Sequence, residues 1–258
     1  MKPRPALLAL VVVVLLAIGG GAAAWAVFLR GDNVAPLRLP SSAPAASSGR
    51  AAGSGSTATA SGSTASLPPA SGAAIDAASI PGSWTIGADS VVGYRVRERL
   101  ASLPADSDAV GRTNAITGSA TVARSGTSLS VTAAEVSVDM TTVASDKPMR
   151  DNRLRNDGIQ TDTFPTATFK LGTTVAVPAE ATTGAQVSVT LHGDLTLHGV
   201  TKTVDIPATA QLNGSLIQVL GSLEFPFSDF NINAPNIAGF VAVEDHGTLE
   251  FLVNLTKG

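Results

Sequence analysis

The chain has 258 residues, a formal net charge of −3 and no cysteine, which excludes disulfides, thiolate nucleophiles and cysteine-built metal sites. Hydrophobic residues make up 44% and charged residues only 14%, against roughly a quarter charged in an average soluble domain. Residues 1–81 carry +3 and the remainder −6, so most of the chain lacks the basic footprint of a nucleic-acid binder.

In chain order, Lys2 and Arg4 precede Ala6–Leu29, about 24 residues without a charge. At 1.5 Å per residue such a helix crosses a bilayer core of roughly 30 Å. Signal-peptide cores are shorter, about 7–15 residues. The length favours an uncleaved signal anchor over residues 1–30, although Ala22-Ala23-Ala24 and Ala24-Trp25-Ala26 also match a small-residue cleavage site. The basic flank places the N-terminus inside and the rest outside, as a single-pass membrane protein. Cleavage would leave a secreted one.

Residues 31–81 are expected to be a disordered linker. From Pro40 to Pro81 nearly every residue is Ser, Ala, Gly, Thr or Pro, as in Gly53-Ser54-Gly55-Ser56. Little large apolar surface is available there to offset chain entropy. A flexible coil of about 40 residues has an average reach on the order of 35 Å.

Residues 82–258 alternate with period two. Val187, Val189, Leu191, Leu195 and Leu197 alternate with Ser188, Thr190, His192, Asp194 and Thr196. Val204, Ile206, Ala208, Ala210 and Leu212 form a second such set, and Leu249, Phe251, Val253 and Leu255 a third. This is antiparallel sheet with one apolar and one solvated face. His198-Gly199 reads as a tight hairpin turn. In Ser128–Met140 the apolar phase shifts, which predicts a bulge near Ala133–Glu135. Pro148–Asn156 is the one short helix. Long strands with so little helix imply an all-β sandwich or closed barrel.

Several segments carry a family resemblance. Leu195-Thr196-Leu197-His198-Gly199-Val200-Thr201-Lys202 resembles the "LTLHGVTK" hairpin of the YceI-like family of bacterial exported lipid-binding proteins. Trp84-Thr85-Ile86 with Ser90–Val96 is similar to its first strand pair, and Val136–Met140 with Arg150–Leu154 to its strand-then-helix segment. Phe164–Phe169 resembles its "FP…F" strand entry, and Phe227–Ile232 its late "SDF-I" segment. The chain departs from the family at Asp89 and Arg153, where the family often has His, and at Gly158-Ile159, where aromatic residues are usual.

The resemblance implies an eight-stranded, lipocalin-like antiparallel barrel with one short helix, holding a polyisoprenoid or similar long lipid in an apolar lumen. The expected ligand-contacting residues are Val131, Phe169, Val189, Leu191, Leu195, Phe227, Phe251 and Val253. The implied partner is a lipid, with a membrane contact through the N-terminal helix. A wall of Val, Leu, Ile and Ala fills less volume than an aromatic one, which leaves room for an alkyl chain. A structural or interaction module of the cell envelope with a filled lumen is the alternative.

No constellation points to catalysis, a cofactor or a metal. His192 and His198 lie six positions apart on one strand, near 20 Å at about 3.3 Å per residue, too far to share an ion. His198 is expected to bond local backbone in its turn. Glu244-Asp245-His246-Gly247 reads as a solvated loop, and Asn213-Gly214-Ser215 as a turn. No serine sits in a nucleophile elbow. Arg95, Arg97 and Arg99 alternate on one strand face, and Arg150, Arg153 and Arg155 share the helix. Pairing with nearby acids is their expected role, and reception of an anionic headgroup the alternative.

Overall fold

The computed structural model describes residues 34–40, 77–100, 106–234, 236–237 and 241–258. The expected anchor, residues 1–30, lies outside them. Among the described residues no helix is long and apolar enough to cross a membrane.

Among the described residues, fourteen strands form one antiparallel sheet. They are β1 (Gly82–Ile86), β2 (Val91–Leu100), β3 (Ser107–Thr113), β4 (Ile116–Ser125), β5 (Ser128–Asp139), β6 (Ala144–Ser145), β7 (Thr166–Leu171), β8 (Val175–Val177), β9 (Val187–Leu197), β10 (Val200–Asn213), β11 (Leu216–Pro226), β12 (Asn236–Ile237), β13 (Val241–Val243) and β14 (His246–Lys257). Eight of them enclose the lumen in the order β1, β4, β5, β7, β9, β10, β11, β14, and pairing of β1 with β14 closes the ring. The expected closed barrel is therefore present, and closure leaves no free edge around the ring. β2 pairs with the first half of β14 and β1 with its last residues, so the two follow each other along one edge. β3, β6 and β13 extend the sheet beyond β2. The helix Pro148–Asn156 stands where the sequence placed it, with Pro148 in its first turn, where the missing N–H is harmless.

Local chemistry explains the turns. His198 and Gly199 take φ of 52° and 72° between the paired Leu197 and Val200, the backbone of a two-residue primed hairpin. Gly214 and Ser215 also link Asn213 to its partner Leu216 in two residues, with a positive φ, 58°, at Gly214 but not at Ser215. The bulge in β5 falls at Thr132, one residue before the expected span. Thr121 pairs with Ala133 but Val122 with Val131, which leaves Thr132 unopposed. That insertion turns both Val131 and Ala134 inward.

One end of the barrel is closed by Trp84, which is fully buried among Ile80, Val122, Leu129, Val253 and Leu255. Its indole N–H donates to the Ile80 carbonyl at 2.9 Å. The Lys257 ammonium stands 5.0 Å from the Trp84 ring and donates to the Ser79, Ile80 and Pro81 carbonyls. The folded unit thus takes in residues just before Gly82, because β1 needs Ile80 beneath its tryptophan.

The stretch read as linker also contributes Val34, Ala35, Pro36 and Leu37, which lie against the outer wall. Arg95 donates to the Val34 carbonyl at 2.9 Å and Arg112 to the Ala35 carbonyl at 2.7 Å. Pro36 and Leu37 continue across the outward residues of β9, β10 and β11. Composition missed this contact because it rests on two arginines far away in sequence. The same arginines bond Glu250, whose side chain is buried, at 3.5 and 2.7 Å. Replacing Glu250 by Gln is expected to cost about 1–3 kcal/mol, since the partly buried Arg112 loses its carboxylate and Arg95 keeps only Asp108. Urea denaturation measures this, and an unchanged midpoint would show the cluster to be energetically idle.

Candidate functional site

Inward side chains of all eight ring strands surround a cavity of about 260 Å³. Its wall is almost wholly aliphatic: β5 gives Val131, Val136 and Val138; β9 gives Val189, Leu191 and Leu195; β14 gives Leu249, Phe251 and Val253. Among the described residues, no acidic residue, lysine, arginine or histidine borders it. A dry hydrocarbon space follows, because water needs two to four polar partners to enter a cavity. Two glycines make room for rings. A Cβ on Gly221 would lie 2.4 Å from the Phe251 ring across the strand pair, and one on Gly111 would lie 2.3 Å from the Tyr94 ring.

Of the residues expected to contact a ligand, Val131, Phe169, Val189, Leu191, Leu195, Phe251 and Val253 border this cavity. Phe227 does not. The strand alternation ends at Pro226, and Phe227 opens a short 3-10 turn, Phe227–Phe230. It borders instead a second chamber of about 250 Å³ beside the helix. This chamber is lined by Val96, Leu154, Phe227 and Ile232 and by the charged side chains of Glu98, Lys147, Arg150 and Arg153. Met149, 80% exposed, stands on its rim. Tyr94, Ile159 and Phe225 border both spaces and form the partition between them.

Tyr94 was not singled out from the sequence, although it is the chain's one tyrosine and shares a strand face with Val92 and Val96. Its hydroxyl is buried and has no hydrogen-bond partner among the described residues. Burial pushes the phenol pKa up. The carboxylates of Asp151, Glu98 and Asp146 act in the same direction, and Arg150 opposes them. The phenol therefore remains a neutral donor.

The arginines are engaged. Arg150 bonds Glu98 at 2.6 Å and also Asp146. Burial works against its charge, but these two acids outweigh burial and hold its pKa above the usual value. Arg153 faces Asp157 at 3.5 Å, and Arg155 donates to the Asp151 carbonyl. Arg95 and Arg97 share Asp108 at 3.2 and 3.0 Å, and Arg99 faces Asp106 at 3.8 Å. Pairing with acids, the expected role, is what the structure shows for all of these except Arg155, which bonds a backbone carbonyl.

The histidines stay apart. His192 bonds Asp205, its cross-strand neighbour, at 2.7 Å. His198 does not bond local backbone: its Nδ1 donates to the Phe230 carbonyl at 2.9 Å and ties the hairpin to the 3-10 turn. His246 bonds Asp245 and Glu244 at the surface. The Asp245 hydrogen bond raises the His246 pKa, and Glu244 adds to it. Among the described residues no group of three or more His, Asp or Glu side chains is placed to hold a metal ion.

Among solved structures, a polyisoprenoid-binding domain from Saccharophagus degradans, implicated in plant cell wall breakdown, has the same fold. It is 18% identical with a TM-score of 0.50, over 69% of this chain and 99% of that one. BcnA of Burkholderia cenocepacia is 23% identical with a TM-score of 0.47, over 66% and 98%. A YceI protein of Campylobacter jejuni is 18% identical with a TM-score of 0.42, over 54% and 80%. No curated protein matches the chain. The profile of the YceI-like domain matches residues 84–255, from the buried Trp84 to the cavity-lining Leu255, and the chain belongs to the YceI-like family.

Proposed function

We propose that the barrel is a non-enzymatic carrier that holds one long, mostly hydrocarbon chain of the isoprenoid class in its lumen, with any headgroup at the helix end. The observation that carries this reading is the cavity wall, which is aliphatic and free of charged side chains. Such a wall offers a hydrocarbon everything and a catalytic step nothing. Each buried methylene contributes about 0.8 kcal/mol, so about ten offset a substantial association cost. The name of the Saccharophagus domain supports the same ligand class. The uncharged stretch Ala6–Leu29 would display the barrel on the outer side of the cytoplasmic membrane.

Titration of lipid-stripped protein with isoprenoid alcohols of increasing length tests the reading. Affinity should rise with chain length and vary little with salt, because screening acts on exposed charges. Val189→Phe fills the lumen. It should weaken binding at least tenfold while the sheet persists, although overpacking costs about 1–3 kcal/mol. No binding at any length would reject the carrier reading and favour an interaction module.

A further inference from the structure

We propose that the Tyr94 hydroxyl is the headgroup contact of the bound lipid and selects an uncharged, oxygen-bearing head: an alcohol, a carbonyl or an amide. The inference rests on the carrier reading and deepens it. Three observations lead to it. First, Tyr94 stands in the partition between the charge-free cavity and the chamber beside the helix, with Ile159 and Phe225. A chain lying in the barrel with its head toward the helix passes this residue.

Second, the Tyr94 Oη is buried without a partner. Buried hydroxyls are nearly always bonded, so an orphan on a residue that borders both cavities is short of an acceptor that a ligand entering either space could supply. The phenol is also held in place. Tyr94 pairs with Gly111 across the strands, and any side chain there would strike its ring. A glycine in a strand weakens it, and close approach of another group is a reason for one to be there.

Third, the charges around Tyr94 are already committed to one another. Glu98, 7% exposed, takes Arg150, which also holds Asp146. Asp151, also 7% exposed, accepts from the Ser145 amide and hydroxyl at 2.9 and 2.7 Å. The chamber's other cations, Lys147 and Arg153, lie on the exposed side of the helix. A phosphate placed at Tyr94 would meet two buried carboxylates and would have to draw Arg150 away from them. A neutral oxygen needs no such rearrangement and completes the one bond that is missing.

The test compares geranylgeraniol, its hydrocarbon counterpart without the hydroxyl, and geranylgeranyl phosphate on lipid-stripped full-length protein and on Tyr94→Phe. The alcohol should bind the wild type about 3- to 10-fold more tightly than the hydrocarbon, the worth of one hydrogen bond. Tyr94→Phe should abolish that difference between alcohol and hydrocarbon. Without ligand, the same variant should melt at a higher temperature than wild type, because it no longer buries an unpartnered hydroxyl. An alcohol preference that survives Tyr94→Phe would overturn the headgroup proposal and leave the carrier reading intact. So would salt-sensitive binding in which the phosphate exceeds the alcohol. Failure of all three probes to bind would remove the carrier reading and this proposal together.

Discussion

Trp84→Ala is expected to remove about 3–5 kcal/mol of stability. Domains of this kind have only about 5–15 kcal/mol in total. The side chain is fully buried, and its contacts join the β1 closing strand to β4, β5 and β14 through Val122, Leu129, Val253 and Leu255. β1 is five residues long and seals the ring, so a void beneath it loosens the seam as well as the core. Trp84→Phe separates packing from the indole hydrogen bond. Phenylalanine keeps most of the apolar contact. The Ile80 carbonyl that loses the indole N–H still accepts from Lys257 at 3.1 Å. The expected cost is therefore only about 0.5–1.5 kcal/mol. Urea denaturation of the three proteins decides the matter, and equal midpoints for the Ala and Phe variants would refute the packing argument.

Ile116→Asp should prevent stable folding at neutral pH, whereas Thr117→Asp should change stability by no more than about 0.5 kcal/mol. The two residues are neighbours at the start of β4. Ile116 is 9% exposed and packs in the cluster with Val138, Leu195 and Phe230, while Thr117 is exposed. A carboxylate at Ile116 would face an apolar wall without a partner, and burial would raise its pKa. The sign for pH follows. A carboxyl whose folded pKa lies above its unfolded value binds more protons when folded, so the variant regains stability as pH falls through the raised value. Circular dichroism across a pH series shows this. Equal damage from the two substitutions would mean that the faces of β4 are wrongly assigned.

Much of this was legible one residue at a time. Alternation along Val187–Leu197 and Leu249–Leu255 named the inward faces, because successive side chains of a strand point to opposite sides. His198-Gly199 marked the hairpin, because positive φ at both positions favours such residues. The helix Pro148–Asn156 was legible as a short charged piece. The bulge was placed one residue late because the sequence shows where the apolar phase resumes, at Ala134, and not which residue is left unopposed. Phe227 was placed in the lumen by extending the alternation past Pro226, where the strand ends and a 3-10 turn begins.

By itself, then, the sequence determined the strands, their faces, the main turns and the family, since each is carried by residues a few positions apart. Tertiary structure alone decided that β1 meets β14 across 171 residues of chain, that a space is left inside, and that Val34 and Ala35 lie on Arg95 and Arg112. It alone left the Tyr94 hydroxyl without a partner. These facts depend on which distant surfaces come together once the ring shuts. Closure and packing are set by the sum of many long-range contacts, each too weak to mark a local stretch of sequence.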